Sequence, residues 1–157
     1  MVADKFSHVR AWVFDLDNTL YPPAARLFDQ IEVRMTAWVM EVVGVGHAEA
    51  DRLRKEYWQR YGPTLAGLME EHGVDPDPYL THVHDISLDH LEADADLAAR
   101  IAELPGRKIV YTNGSAEYAE RVIDARGLAG RFDAIYGVEH AGFRPKPERV
   151  AFEAVFA

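Results

Sequence analysis

The chain has 157 residues, 48% of them apolar and 27% charged, with a formal net charge of -9 and no cysteine. That length holds one ordinary domain or a small core with an inserted module, and the balance is that of a folded chain, not a disordered one. An acidic chain without a Lys or Arg run would repel a nucleic-acid polymer or an anionic membrane, and a chain without cysteine has no disulfide framework, thiolate zinc site or thiol nucleophile. The first ten residues lack the apolar stretch of a signal peptide and no run is long enough to span a bilayer, so a cytoplasmic protein is expected.

Ala11 to Phe14 is a short, wholly apolar run ending at Asp15, the pattern of a strand buried on both faces of a parallel sheet. Apolar residues then recur at helical spacing from Ala24 to Val43 (Leu27, Ile31, Met35, Trp38, Val39, Val42), and Gly44 and Gly46 stop that helix. Further helices are predicted over 47–61, 64–72, 77–82 and 94–103, broken at Gly62-Pro63, at Gly73 and across Asp75 to Pro78. After Pro105-Gly106 the pattern changes: Lys108 to Thr112 reads as a strand, Ser115 to Arg126 as a helix ended by Gly127, and Phe132 to Tyr136 as a third strand. A last helix is predicted to begin at Pro147. Strands alternating with helices predict an α/β fold with a doubly wound parallel sheet and an all-helical module between the first two strands.

Three short segments carry chemistry. Asp15 and Asp17 lie two residues apart directly after the first strand; if the chain turns there, one side chain and one backbone carbonyl can converge on a cation, although an Asx turn or helix cap uses the same residues. Thr112-Asn113-Gly114-Ser115, at the end of the second strand, offers a hydroxyl and backbone N–H groups at a helix N-terminus, which is either a phosphate cradle or an ordinary capped turn. Lys146, between two prolines before the last helix, is a charge facing an anion or simply a solvated lysine. His82 and His84 diverge on a helix and read as packing or surface residues, not ligands.

Two acids after strand one, a hydroxyl after strand two and a lysine after strand three, in that order, resemble the first three signatures of the haloacid dehalogenase superfamily. The resemblance implies a Rossmann-like core formed by residues 1–20 and 104–157, with residues 21–103 as an inserted helical cap. It also implies Mg²⁺ as cofactor, bound by Asp15 and Asp17. Asp15 would be a nucleophile that forms an aspartyl phosphate, Asp17 the general acid and then base, and Lys146 the charge stabiliser. Leu16, Thr112, Asn113 and Gly114 would contact the phosphate. An acid at position 17 favours phosphate chemistry over carbon–halogen cleavage.

Asp17-Asn18-Thr19-Leu20-Tyr21-Pro22 and Tyr57-Trp58-x-x-Tyr61-Gly62-x-Thr64-Leu65-x-Gly67-Leu68-Met69 resemble the pyrimidine 5′-nucleotidase group within that superfamily. That implies a nucleoside monophosphate substrate, with Tyr61 or Tyr57 stacking on the base, although aromatics at helical spacing more often pack a core. Related caps admit sugar phosphates and other small monoesters.

One family feature is missing. The fourth signature, an acidic pair after a fourth strand, is expected some way beyond the lysine, yet only eleven residues follow Lys146. The chain is therefore expected to lack the C-terminal part of the core and to leave the first strand with an open edge, a place for self-association. A catalytically impaired phosphate-binding fragment is the competing expectation.

Overall fold

The computed structural model describes residues 2–157. In chain order the elements are α1 (Val2–Lys5), β1 (Ala11–Phe14), α2 (Leu27–Val39), α3 (His47–Tyr61), α4 (Thr64–His72), α5 (Pro76–Val83), α6 (Ala95–Ala102), β2 (Arg107–Tyr111), α7 (Ala116–Ala125), β3 (Ala134–Tyr136) and α8 (Arg149–Phe156). They group into two compact units, Met1–Ala25 with Leu88–Glu139 and Arg26–Ser87 with His140–Ala157.

The first unit holds the sheet. Its three strands are parallel, in the order β1-β2-β3, with Phe14 opposite Val110 and Tyr111 opposite Tyr136. Gly106 lets the two chain entries meet: its φ is +80°, and a Cβ there would lie 2.4 Å from the Arg10 carbonyl oxygen, which accepts from Arg107 N at 2.9 Å. Ile109, Val110 and Tyr111 of β2 are buried, and α7 contributes Tyr118, Ala119, Val122 and Ile123 to the core, one helical stripe. Ser115 caps α7 by accepting from Tyr118 N, and Asp94 caps α6 by accepting from Leu97 N.

Arg126, only 8% exposed, ties the unit together by donating to the carbonyls of Leu20 and Glu92 and pairing with Asp94 at 2.8 Å. Every charged nitrogen it buries thus has an acceptor, without which a buried guanidinium would cost several kcal/mol, on the order of 3 to 5.

β1 corrects the expectation of a strand buried on both faces. Ala11 and Val13 are exposed, Val13 by 51%, while Trp12 and Phe14 are half-buried. Alternate residues share a face, so one face of β1 is open to solvent and the other is partly covered. β1 also pairs with β2 alone and forms an edge of the sheet among the described residues, as expected for a core without its fourth strand. The last helix differs too. It begins at Arg149, not at Pro147, because Glu148 is extended (ψ 134°) and its N–H closes a turn onto Pro145 O.

The second unit is helical apart from its loops. α2 packs against α3 and α5, and α3 against α4. The α3–α4 contact turns on Gly67, where an added Cβ would lie 2.5 Å from Tyr57 Cγ, and Tyr57 is buried in the room this leaves. Trp38 sits edge-on to Tyr79 at 5.8 Å and against His82 at 5.2 Å, so His82 packs as the sequence suggested.

Candidate active site

Parallel pairing puts the C-terminal ends of β1 and β2 side by side, so the residue after Phe14 and the residue after Tyr111 emerge at the same end of the sheet. These are Asp15 and Thr112. In open α/β sheets that is the ligand-binding end.

After Asp15 the chain turns at once. Leu16 is fully buried, its carbonyl accepts from Thr19 N at 3.1 Å and Leu20 N at 2.9 Å, and Asn18 takes φ +56°, a left-handed conformation that asparagine tolerates well. The buried leucine anchors a loop whose two acids point to different tasks. Asp15 is exposed, and its Oδ1 accepts from Leu16 N at 2.9 Å. Asp17 is half-buried, and its Oδ1 accepts from two tyrosine hydroxyls, Tyr21 at 2.6 Å and Tyr118 at 2.9 Å.

Both tyrosines are 1% exposed. Burial first, then the Asp17 carboxylate, pushes both hydroxyls far above the usual tyrosine range, so they stay protonated and act as donors. Sequence reading missed this pair. Tyr21 carries a faint signal, four residues beyond Asp17, but Tyr118 lies 101 residues away on α7 and carries none.

Thr112 is 1% exposed, and its Oγ1 accepts from Gly114 N at 2.9 Å, while its own N–H bonds Tyr136 O at 3.0 Å. One of the hydroxyl's two acceptor positions is thus used within the loop, and its O–H can donate to an anion. Gly114 O accepts from Val138 N at 2.9 Å, which fixes the loop to the segment after β3. The α7 N-terminus is not bare either. Ala116 N donates to Glu139 Oε1 at 2.8 Å, so a carboxylate already faces the positive helix end.

Leu16, Asp15, Asp17, Thr112, Asn113 and Gly114 therefore belong to one unit, on loops that follow adjacent strands. Lys146 and Tyr61 belong to the other unit. The Tyr61 hydroxyl donates to Glu71, and the Arg60 guanidinium lies 4.9 Å above its ring, so one aromatic face is already covered by a cation.

No group of three or more His, Asp or Glu that could hold a metal ion occurs among the described residues. The donors that the loop after β1 does offer are oxygens, a carboxylate on Asp15 and main-chain carbonyls. That set suits a hard cation which keeps several waters and takes further oxygens from its substrate, as Mg²⁺ does, and suits Zn²⁺ poorly.

A family model described as haloacid dehalogenase-like hydrolase matches residues 9–157. The chain belongs to the haloacid dehalogenase-like hydrolase family. Among curated proteins this family member resembles Phosphate metabolism protein 8 of Saccharomyces cerevisiae, with 27% identity over 136 residues that cover 80% of this chain and 42% of the relative. It therefore spans less than half the length of that protein. Among solved structures it resembles the HAD-hydrolase YfnB of Bacillus subtilis, determined bound to magnesium, at a TM-score of 0.50 and 19% identity over 94% of this chain and 71% of that one. That likeness establishes the α/β haloacid dehalogenase-like fold. Among the described residues no helix is long and apolar enough to cross a membrane.

Proposed function

We propose that the chain is a magnesium-dependent phosphomonoester hydrolase working through an aspartyl phosphate on Asp15, with pyrimidine nucleoside 5′-monophosphates such as UMP and CMP as the first substrates to test. The observation that carries the reading is the placement of Asp15 and Thr112 at neighbouring strand ends, with Asp17 anchored beside them. The family supports hydrolysis, and the name of the yeast relative ties that protein to phosphate metabolism.

In this mechanism Asp15 attacks phosphorus in line, with Oδ1 held by Leu16 N–H and Oδ2 forming the new bond. The phosphorus–ester oxygen bond breaks as Asp17 gives its proton to the departing alkoxide. Asp17, now a base, takes a proton from the water that attacks phosphorus, and phosphate leaves with Asp15 restored. Thr112 donates its hydroxyl proton to a phosphate oxygen, with Leu16, Asn113 and Gly114 around it, and Lys146 offsets the developing negative charge. Magnesium, when held by the Asp15 carboxylate and the Asp17 main-chain carbonyl, supplies positive charge that reduces the repulsion between carboxylate and phosphate. The Asp15, Asp17 and Lys146 roles follow the family resemblance.

The test is phosphate release from UMP, CMP and a set of sugar and other small phosphate esters, with and without Mg²⁺. Selective, Mg²⁺-dependent release from pyrimidine nucleotides, lost by roughly 10³-fold or more in Asp15→Asn, is the expected result. Equal rates on all esters would give the broader sugar-phosphate phosphatase. The lack of a three-carboxylate cluster among the described residues favours a second reading, a phosphate-binding module without turnover. Phosphate binding with no ester cleaved at high Mg²⁺ would establish it. For partners beyond the substrate we propose a second copy of the chain at the β1 edge, in a cytoplasmic setting.

A further inference from the structure

The three parallel strands start from three short loops, residues 6–10 before β1, 103–106 before β2 and 131–133 before β3, at the end of the sheet opposite Asp15 and Thr112. Along β2 the two ends lie roughly 16 Å apart, at about 3.3 Å per residue. Between these loops opens a cleft of about 640 Å³ whose lining includes Ser7, His8, Arg10, Gly106, Arg107 and Asp133. Its walls are fixed. Val9 N donates to Phe6 O at 2.8 Å, the Phe6 ring stands edge-on to Trp12 at 5.4 Å, and Trp12 Nε1 donates to Pro105 O at 2.7 Å. Lys108 holds Asp133 twice, its carbonyl accepting from Asp133 N at 2.7 Å and its N–H donating to Asp133 Oδ2 at 2.7 Å.

The charges around the cleft differ from those elsewhere. Arg26, Arg52, Arg60, Arg126 and Arg144 each have a carboxylate partner. Arg10 and Arg107 in the cleft, and Arg131 on the loop into β3, are exposed and have none among the described residues. Lys108 Nζ donates to the carbonyls of Leu104 at 3.0 Å and Gly106 at 3.2 Å, so it adds positive charge with no carboxylate against it. A chain with 26 acids and 17 basic residues has carboxylates to spare, yet these four cations collect at one end of one sheet.

The occupant that fits is anionic, and size and field narrow it further. Cavities of about 300 to 1,000 Å³ take small molecules. An acidic macromolecule would meet the whole chain's charge of -9, whereas a small anion meets mainly the local field. A single carboxylate has two oxygens in one plane; a phosphate spreads its oxygens in three dimensions, so guanidinium forks from two different loops can each take a pair.

We propose that this cleft binds a small phosphate-bearing anion of two or more charges, at a site separate from the catalytic end. The inference stands independently of the phosphatase reading, since no residue of that mechanism lines the cleft.

The experiment titrates inorganic phosphate into the 157-residue chain, with EDTA present, and follows backbone amide shifts by NMR. The titration is run at about pH 8, where phosphate carries two charges, with succinate as a dianion of separate carboxylates. Amides of residues 8–10, 106, 107 and 133 should shift along saturable curves with phosphate and several-fold more weakly with succinate. In the Arg10→Gln, Arg107→Gln double variant the affinity read at those amides should fall by about tenfold or more. The spectrum itself reports folding, and if the double variant is not folded, each single variant should show a several-fold loss. Shifts confined to residues 15–18 and 112–116, or shifts that rise without saturating, overturn the inference. So does an unchanged affinity in the variants, and succinate bound as tightly as phosphate overturns the phosphate class.

Discussion

At residue scale, the two tyrosines that hydrogen-bond Asp17 leave a signature in stability. Burial is the main cause of their raised pKa values, with the Asp17 charge second for each. In the unfolded chain a tyrosine ionises near pH 10, roughly its ordinary value. The folded state therefore keeps protons that the unfolded state has lost, and the contribution of these groups is complete below about pH 10 and declines as the pH rises above it. Each costs up to about 1.4 kcal/mol per pH unit in that window. Urea unfolding midpoints measured from pH 8 to 11.5 should fall steeply above pH 10 in the wild type and less steeply in the Tyr21→Phe, Tyr118→Phe double variant. Parallel curves for the two proteins would refute the assignment. Asp15 and Thr112 were legible in the sequence because each directly follows an apolar run, a local signal. Tyr118 was not, since its role depends on a contact across 101 residues that only the folded sheet creates.

At the scale of elements, α3 and α4 are held close by the absence of a side chain. Replacing Gly67 with alanine in a helix gains about 1 kcal/mol of intrinsic propensity. Against this, a Cβ 2.5 Å from Tyr57 Cγ meets the root of a buried ring, not the end of a flexible chain, and overpacking of this kind costs about 1 to 3 kcal/mol. The clash should win, so Gly67→Ala is expected to destabilise by about 1 kcal/mol or somewhat more, as a lower melting temperature. Combining it with Tyr57→Ala should give less than the sum of the two losses, and strict additivity would mean the residues do not press on each other. Helix ends were readable where a cap or breaker marks them, as at Gly62-Pro63, Asp94 and Ser115; the stretch from Asp75 to Pro78 was read as a break, yet α5 begins at Pro76 with Asp75 as its cap. The open edge of β1 was expected from the missing fourth strand, but its face burial was misjudged, because four apolar residues read the same whether one face of the strand is covered or two. Which neighbours a strand receives is not written in its own residues.

At the scale of the whole molecule, the open edge of β1 and the net charge of -9 act against each other. An edge strand with Val13 half in solvent invites a second strand, while like charges keep copies apart. The charge term reaches about 30 Å at 0.01 M salt but only about 8 Å at 0.15 M, whereas backbone pairing and apolar contact are short-ranged and little screened. Association of the 157-residue chain should thus strengthen as salt is added, the reverse of an interface built on opposite charges. Sedimentation velocity over a concentration series at the two salt levels is expected to show this as a rising weight-average coefficient at 0.15 M. Val13→Lys separates edge from charge, because it lowers the net negative charge and so should favour contact, yet puts a solvated ammonium on the edge strand. If the edge is the contact, Val13→Lys weakens association despite the smaller charge; if it associates as well as or better than wild type, the copies meet elsewhere.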